Sequence, residues 1–282
     1  ATVSLPAVRL RVRELGEINR KLAEGIVNFN RLREQDVDIA TTPKDEVHRV
    51  DKAVLYRFRP EADELHPVPM MMVYALGGRY TMADLQEDRS FVRNLLRAGI
   101  DVYVVDWGLP TRADRWLGFE DYVNGYMDEF VDVICERHGV DAVNLLGICQ
   151  GGVLSLCYAA LHPEKIKDLI VTVTPVDFHA EPANPEHGFM NVWARNLDSE
   201  DIELMIDTLG NVPGEFTGLL FSMMTPMRSL TKYNLDLLNV LDDEKKLLNF
   251  LRMEKWLADR PDHAGEAAKQ WLKELYQDNK LV

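Results

Sequence analysis

The chain has 282 residues, 46% of them hydrophobic, with a formal net charge of −14 and a pI near 5.0. That is enough apolar material for a large core, arranged as one domain plus an inserted or appended lobe. The acidic balance argues against a nucleic-acid binder, which needs a basic face, and no apolar run has the length of a transmembrane segment. Three cysteines at irregular spacing make neither a disulfide framework nor a zinc site, and no His/Cys/carboxylate set stands at metal-ligand spacing, so no metal is expected. The opening ATVSLPAVRLRVREL does not read as a secretory signal, and free thiols suit a reducing, cytoplasmic setting.

Residues 1–44 read as an N-terminal helical arm. Within it, 8–33 is amphipathic and heavily charged, which suits a packing helix with one solvated face; a partner-binding arm is the other reading. From 45 to 177, strands alternate with helices. Strands are predicted at 54–58, 70–75, 101–106, 141–146 and 166–172. Helices are predicted at 88–98, stopped by Gly99, at 119–138, closed by Gly139, and at 153–161. This order predicts a mostly parallel sheet with right-handed crossovers and functional loops at the carboxyl ends of its strands. Three such loops stand out: 76–82, 106–111 and the turn around Cys149. Residues 178–282 read as a mostly helical cap or lid lobe, loop-like to 195 and without a clear strand from 199 to 279. Met223, Met224 and Met227 in this lobe suit ordinary core or an adaptable apolar channel.

The most informative stretch is Gly147-Ile148-Cys149-Gln150-Gly151. It follows an apolar strand and opens an apolar helix, which is the nucleophile-elbow pattern of the α/β-hydrolase fold, with cysteine in place of serine. The elbow glycines Gly147 and Gly151 lack a Cβ, so strand and helix can approach closely there. The sulfur of Cys149 is placed at a helix N-terminus, where free N–H groups favour a thiolate. Cys135 and Cys157 fall inside helical segments and read as core.

The elbow is accompanied by VYAL (73–76), QEDRS (86–90), DVYVVDWG (101–108), DYVNGY (121–126), VTPVDF (173–178) and NFLRMEKW (249–256). In this order they resemble the catalytic subunit of polyhydroxyalkanoate (PHA/PHB) synthases, most like the two-subunit class III type, from about residue 45 onward. The resemblance implies an α/β-hydrolase fold with a helical cap. It also implies an acyltransferase that polymerises (R)-3-hydroxyacyl-CoA, usually 3-hydroxybutyryl-CoA, through a thioester on Cys149, releasing coenzyme A. No cofactor is implied beyond that coenzyme A thioester substrate. The backbone N–H of Gln150 is expected to be one oxyanion-hole donor, and that of Gly77, in the loop after the second apolar strand, the other. Here the chain departs from the family, with Gly77-Gly78-Arg79-Tyr80 where a polar-Pro pattern is usual. Implied partners are the hydroxyacyl-CoA, the polymer product, a second synthase subunit and further copies of the chain. Association with polyhydroxyalkanoate granules would follow from polymer growth.

In the family, an Asp and a general-base His follow the cap, and by resemblance residues 1–282 hold no counterpart of either. They would be supplied by further residues or by another chain, and these 282 residues alone are expected to be incomplete for catalysis. Of the local histidines, His179 and His187 follow a strand end and could approach the sulfur. His138 and His162 sit at helix ends, His263 lies in the lobe or its entrance, and the carboxylates Asp106 and Asp177 read as structural. Two other functions fit the same motif: a thiol hydrolase (thioesterase or depolymerase), and a non-catalytic, synthase-like scaffold.

Overall fold

Apolar runs that alternate between two faces build the centre of the molecule. In the computed structural model, which describes residues 5–180, 189–223 and 237–282, these runs form a six-stranded sheet. The chain begins with helix α1 (Leu5–Arg31), followed by β1 (Lys44–Val50), β2 (Ala53–Phe58) and β3 (Met70–Val73). A short hairpin of β4 (Asp84–Gln86) and β5 (Arg89–Ser90) leads into α2 (Phe91–Arg97) and β6 (Val102–Asp106). A π-helical turn, Asp121–Met127, opens into α3 (Asp128–His138), and then come β7 (Val143–Ile148), α4 (Gln150–Leu161) and β8 (Ile166–Thr172).

The sheet order is β1-β2-β6-β3-β7-β8. The β6, β3, β7 and β8 strands run parallel, whereas β1/β2 and β2/β6 pair antiparallel. Side chains of a strand point alternately to opposite faces. Met71, Val73, Tyr103, Val105 and Leu145 therefore pack with Phe130, Ile134 and Tyr158 on one face. Met70, Met72, Val102, Val104 and Leu146 pack with Val92 and Leu96 on the other. Both faces are covered, which is why β3 reads as an unbroken apolar run. At the outer edge, Ile170 and Val171 of β8 remain exposed.

The predicted elements are present with shifted ends. The helix expected over 88–98 starts at Phe91, because 88–90 belong to the β4/β5 hairpin and the Ser90 hydroxyl caps the Arg93 N–H. Among the described residues five strands escaped prediction: β4 and β5 of that hairpin, β1, β9 and β10. β1 carries KDEVHRV and lies half in water at an edge, so it has no apolar alternation to betray it. β9 (Asn211–Val212) and β10 (His263–Ala264) form a two-residue ladder inside the segment expected to have no strand.

After β8 come α5 (Phe189–Arg195), α6 (Ser199–Leu209), β9 and α7 (Gly214–Met223). Helices Leu237–Val240, Glu244–Ala258 and Gly265–Gln270 and a π-helical turn, Trp271–Gln277, follow. The chain divides into two compact units, Ala1–Ile39 with Thr225–Ala258, and Ala40–Met224 with Asp259–Val282. In the first, Asn28 donates from Nδ2 to the Leu241 carbonyl at 2.9 Å, and Arg252 donates to the Asp36 carbonyl at 2.7 Å. Helix α1 there leaves Ile18, Leu22, Ile26 and Phe29 exposed. The second unit holds the sheet and the β9/β10 ladder.

What positions the turn after β7 is an absence of side chains. A Cβ on Gly147 would lie 2.5 Å from the Gly152 Cα. One on Gly151 would lie 2.3 Å from the Val73 carbonyl oxygen and 2.6 Å from that of Tyr74, both backbone atoms of the neighbouring strand and its loop. Gly152, which the motif did not single out, is tighter still against Thr174. Gly151→Ala is therefore expected to destabilise the fold by about 3 kcal/mol, despite alanine's better helix propensity. Urea unfolding checks this, and a variant as stable as the parent would contradict the close approach.

Candidate active site

Cys149 sits between β7 and α4 with φ 56° and ψ −126°. A non-glycine residue holds such a conformation only when its surroundings over-determine it. Two backbone bonds do so: the Cys149 N–H donates to the Thr172 carbonyl at 3.0 Å, and the Gly152 N–H donates to the Cys149 carbonyl at 2.9 Å. Both glycines singled out by the motif, Gly147 and Gly151, are at the contacts that make this turn possible.

The thiol is half-buried, and burial raises it above the ordinary cysteine value, with the Gln150 backbone N–H pulling in the opposite direction. The helix-end donor is thus in place, but the expected resting thiolate is not. Removing the sulfur from water costs the anion more than one N–H returns. Tyr74 and Tyr276 are both pushed up to about 12, first by burial and then by the negative charge that Cys149 can carry.

Gln150 supplies more than its backbone. Its side-chain Oε1 accepts the Leu76 N–H at 2.9 Å, and its Nε2 donates to Nε2 of His263 at 2.8 Å. Burial pushes His263 down to about 4, so the ring is neutral at physiological pH. With Nε2 accepting, the ring proton is assigned to Nδ1, which faces the Ala264 carbonyl at 3.4 Å. Because the Leu76 N–H is committed to Gln150, the next amide along the loop, that of Gly77, is the candidate second donor. A Cβ on Gly77 would meet His263 Cδ2 at 3.7 Å, an ordinary contact, so packing does not demand glycine there.

The other described residues singled out in the sequence have partners of their own. Asp106 accepts the Gly108 N–H at 3.0 Å and pairs with Arg79 at 3.1 Å. Asp177 accepts the His179 N–H and the Asn279 side-chain amide, each at 2.9 Å, and these bonds lower its carboxyl. The His179 ring donates to the Tyr276 and Gln277 carbonyls. His162 stacks on Tyr158 and bonds Asn124, and His138 meets the Tyr103 hydroxyl. Cys135 and Cys157 pack against the core. Met223 is exposed on α7, whereas His187, Met224 and Met227 lie outside the described residues. Among the described residues, no histidine hydrogen-bonds Sγ of Cys149, no group of side chains could hold a metal ion, and no helix is long and apolar enough to cross a membrane. The sequence reading missed His263 and the Gln150 carboxamide, because their pairing arises only where the β9/β10 ladder meets the elbow.

Residues 68–281 match the family model for the alpha/beta hydrolase fold, in keeping with the sheet order and the elbow, and the chain has that fold. It is 47% identical over 268 residues to the poly(3-hydroxyalkanoate) polymerase subunit PhaC of Synechocystis sp., covering 94% of this chain and 70% of that one. It is 48% identical to the PhaC subunit of Allochromatium vinosum, covering 94% and 73% respectively. Among solved structures, a carboxylesterase of Nitrososphaera gargenis aligns with 82% of this chain and 71% of its own at 16% identity and a TM-score of 0.41, too distant to argue from. The chain belongs to the poly(3-hydroxyalkanoate) polymerase PhaC family, and its class of activity is that of a polymer-forming transferase.

A raised thiol has a kinetic signature. Iodoacetamide alkylation of Cys149 is expected to rise with pH through a midpoint above that of an ordinary cysteine, since only the thiolate reacts. A midpoint below neutrality would contradict the dominance of burial.

Proposed function

We propose that the protein polymerises (R)-3-hydroxyacyl groups from coenzyme A thioesters, with 3-hydroxybutyryl-CoA as the substrate of choice, through a covalent thioester on Cys149. The observation that carries this reading is the strained Cys149 turn with the Gln150 backbone N–H against its sulfur. Sγ attacks the thioester carbonyl, a new carbon–sulfur bond forms, and the carbonyl oxygen takes the negative charge. The N–H groups of Gln150 and Gly77 stabilise that oxyanion. Its collapse breaks the bond to coenzyme A, which leaves as a thiolate and takes up a proton. One thioester has replaced another, so the acyl group remains activated for transfer to the hydroxyl of the next unit.

The raised thiol must lose its proton during attack, and no described histidine hydrogen-bonds its Sγ. We assign that role to a group outside the described residues, together with activation of the incoming hydroxyl. A second synthase subunit and homo-oligomers belong to the same proposal, as does attachment to the growing granule.

Cys149→Ala is expected to reduce coenzyme A release by at least about 10³-fold, since removal of a nucleophile leaves only the contribution of the remaining site. Product analysis of the parent enzyme is expected to give polymer. Retained release in the variant would remove Cys149 from the chemistry, and accumulation of free hydroxyacid would favour a hydrolase.

A further inference from the structure

We infer that the Gln150 carboxamide and the buried His263 ring form a clamp that fixes the spacing of the two oxyanion donors, with His263 as a positioning residue for acyl transfer. The inference rests on the proposed chemistry at Cys149 and deepens it.

Three segments meet at one side chain. Gln150 opens α4 directly after the nucleophile, and its carboxamide reaches the β3 loop at Leu76 and the β10 strand at His263. A carboxamide is planar, so bonds at both its oxygen and its nitrogen fix its rotation. The Leu76 N–H is thereby held, and the Gly77 N–H is the next peptide along. The other donor is the backbone N–H of Gln150 itself, so one residue both supplies a donor and sets the place of its counterpart.

His263 is anchored in turn. It pairs with Val212 in the β9/β10 ladder. Its neighbour Asp262 accepts the Gly214 N–H at 3.0 Å, and Asn211 accepts the Gly265 N–H at 3.3 Å. Gln150 is 6% exposed and His263 8%, so neither has water as an alternative partner. The ring must present a lone pair at Nε2 to receive the Gln150 NH₂. Its low proton affinity keeps that lone pair available, and the Gln150 bond occupies it.

The test uses the full-length enzyme with 3-hydroxybutyryl-CoA. His263→Leu removes the acceptor and leaves the Gln150 NH₂ unpaired, whereas His263→Gln can still present an oxygen. Loss of one aligned oxyanion donor lowers kcat by about 10²-fold, so His263→Leu is expected to lose roughly 10- to 100-fold in kcat at unchanged KM. Alkylation of Cys149 by iodoacetamide generates no oxyanion and is expected to be unchanged, while His263→Gln recovers most of kcat. A folded His263→Leu with parental kcat overturns the inference, as does a parallel fall in kcat and alkylation, which marks a general structural role. Should His263→Leu fail to fold, Gln150→Met removes the same bonds from the other side and keeps the backbone N–H; parental kcat there overturns the clamp equally. Cys149→Ala is assayed alongside. If it keeps coenzyme A release, the covalent reading fails. If it is inactive while His263→Leu is parental, the clamp alone fails.

Discussion

The site depends on how closely one helix approaches two strands. Positions 147, 151 and 152 stand where any Cβ would collide with Gly152, Val73, Tyr74 or Thr174. That contact forces the chain from β7 into α4 within one residue, and the residue at the bend takes φ 56°. The strain at Cys149 is thus supported by the packing of the whole sheet. Both faces of β3 and β7 are buried, so the strands cannot relax to relieve it. The bend in turn lifts the sulfur to the helix end and aims the Gln150 N–H at it.

Burial then sets the chemistry. It raises Cys149, Tyr74 and Tyr276 and lowers His263, so every one of these groups rests in its neutral form at neutral pH. A dry site strengthens each hydrogen bond made to a developing oxyanion. The same burial favours the neutral thiol over the thiolate. On the proposed covalent reading, partial burial of Cys149 also limits the water that could hydrolyse its acyl thioester.

Much of this was legible before the structure. The apolar runs at 102–105 and 70–73 pointed to the parallel strands, and Gly-x-Cys-x-Gly between strand and helix pointed to the elbow. What stayed hidden has physical reasons. β1 is charged because an edge strand keeps many side chains in water. β9 and β10 are too short to show a period. The sign of the Cys149 shift follows from desolvation, which depends on the surrounding packing, whereas the helix-end effect is local and can be read from the motif. His263 carries no local signature at all, since its partner is 113 residues away.

The measurement that tests the central claim most directly is peptide mapping by mass spectrometry of the full-length enzyme quenched during turnover of 3-hydroxybutyryl-CoA. The account expects hydroxyacyl adducts on the peptide carrying Cys149, with Cys135 and Cys157 unmodified. Coenzyme A release with no adduct at Cys149, or with the acyl group on another residue, would contradict it.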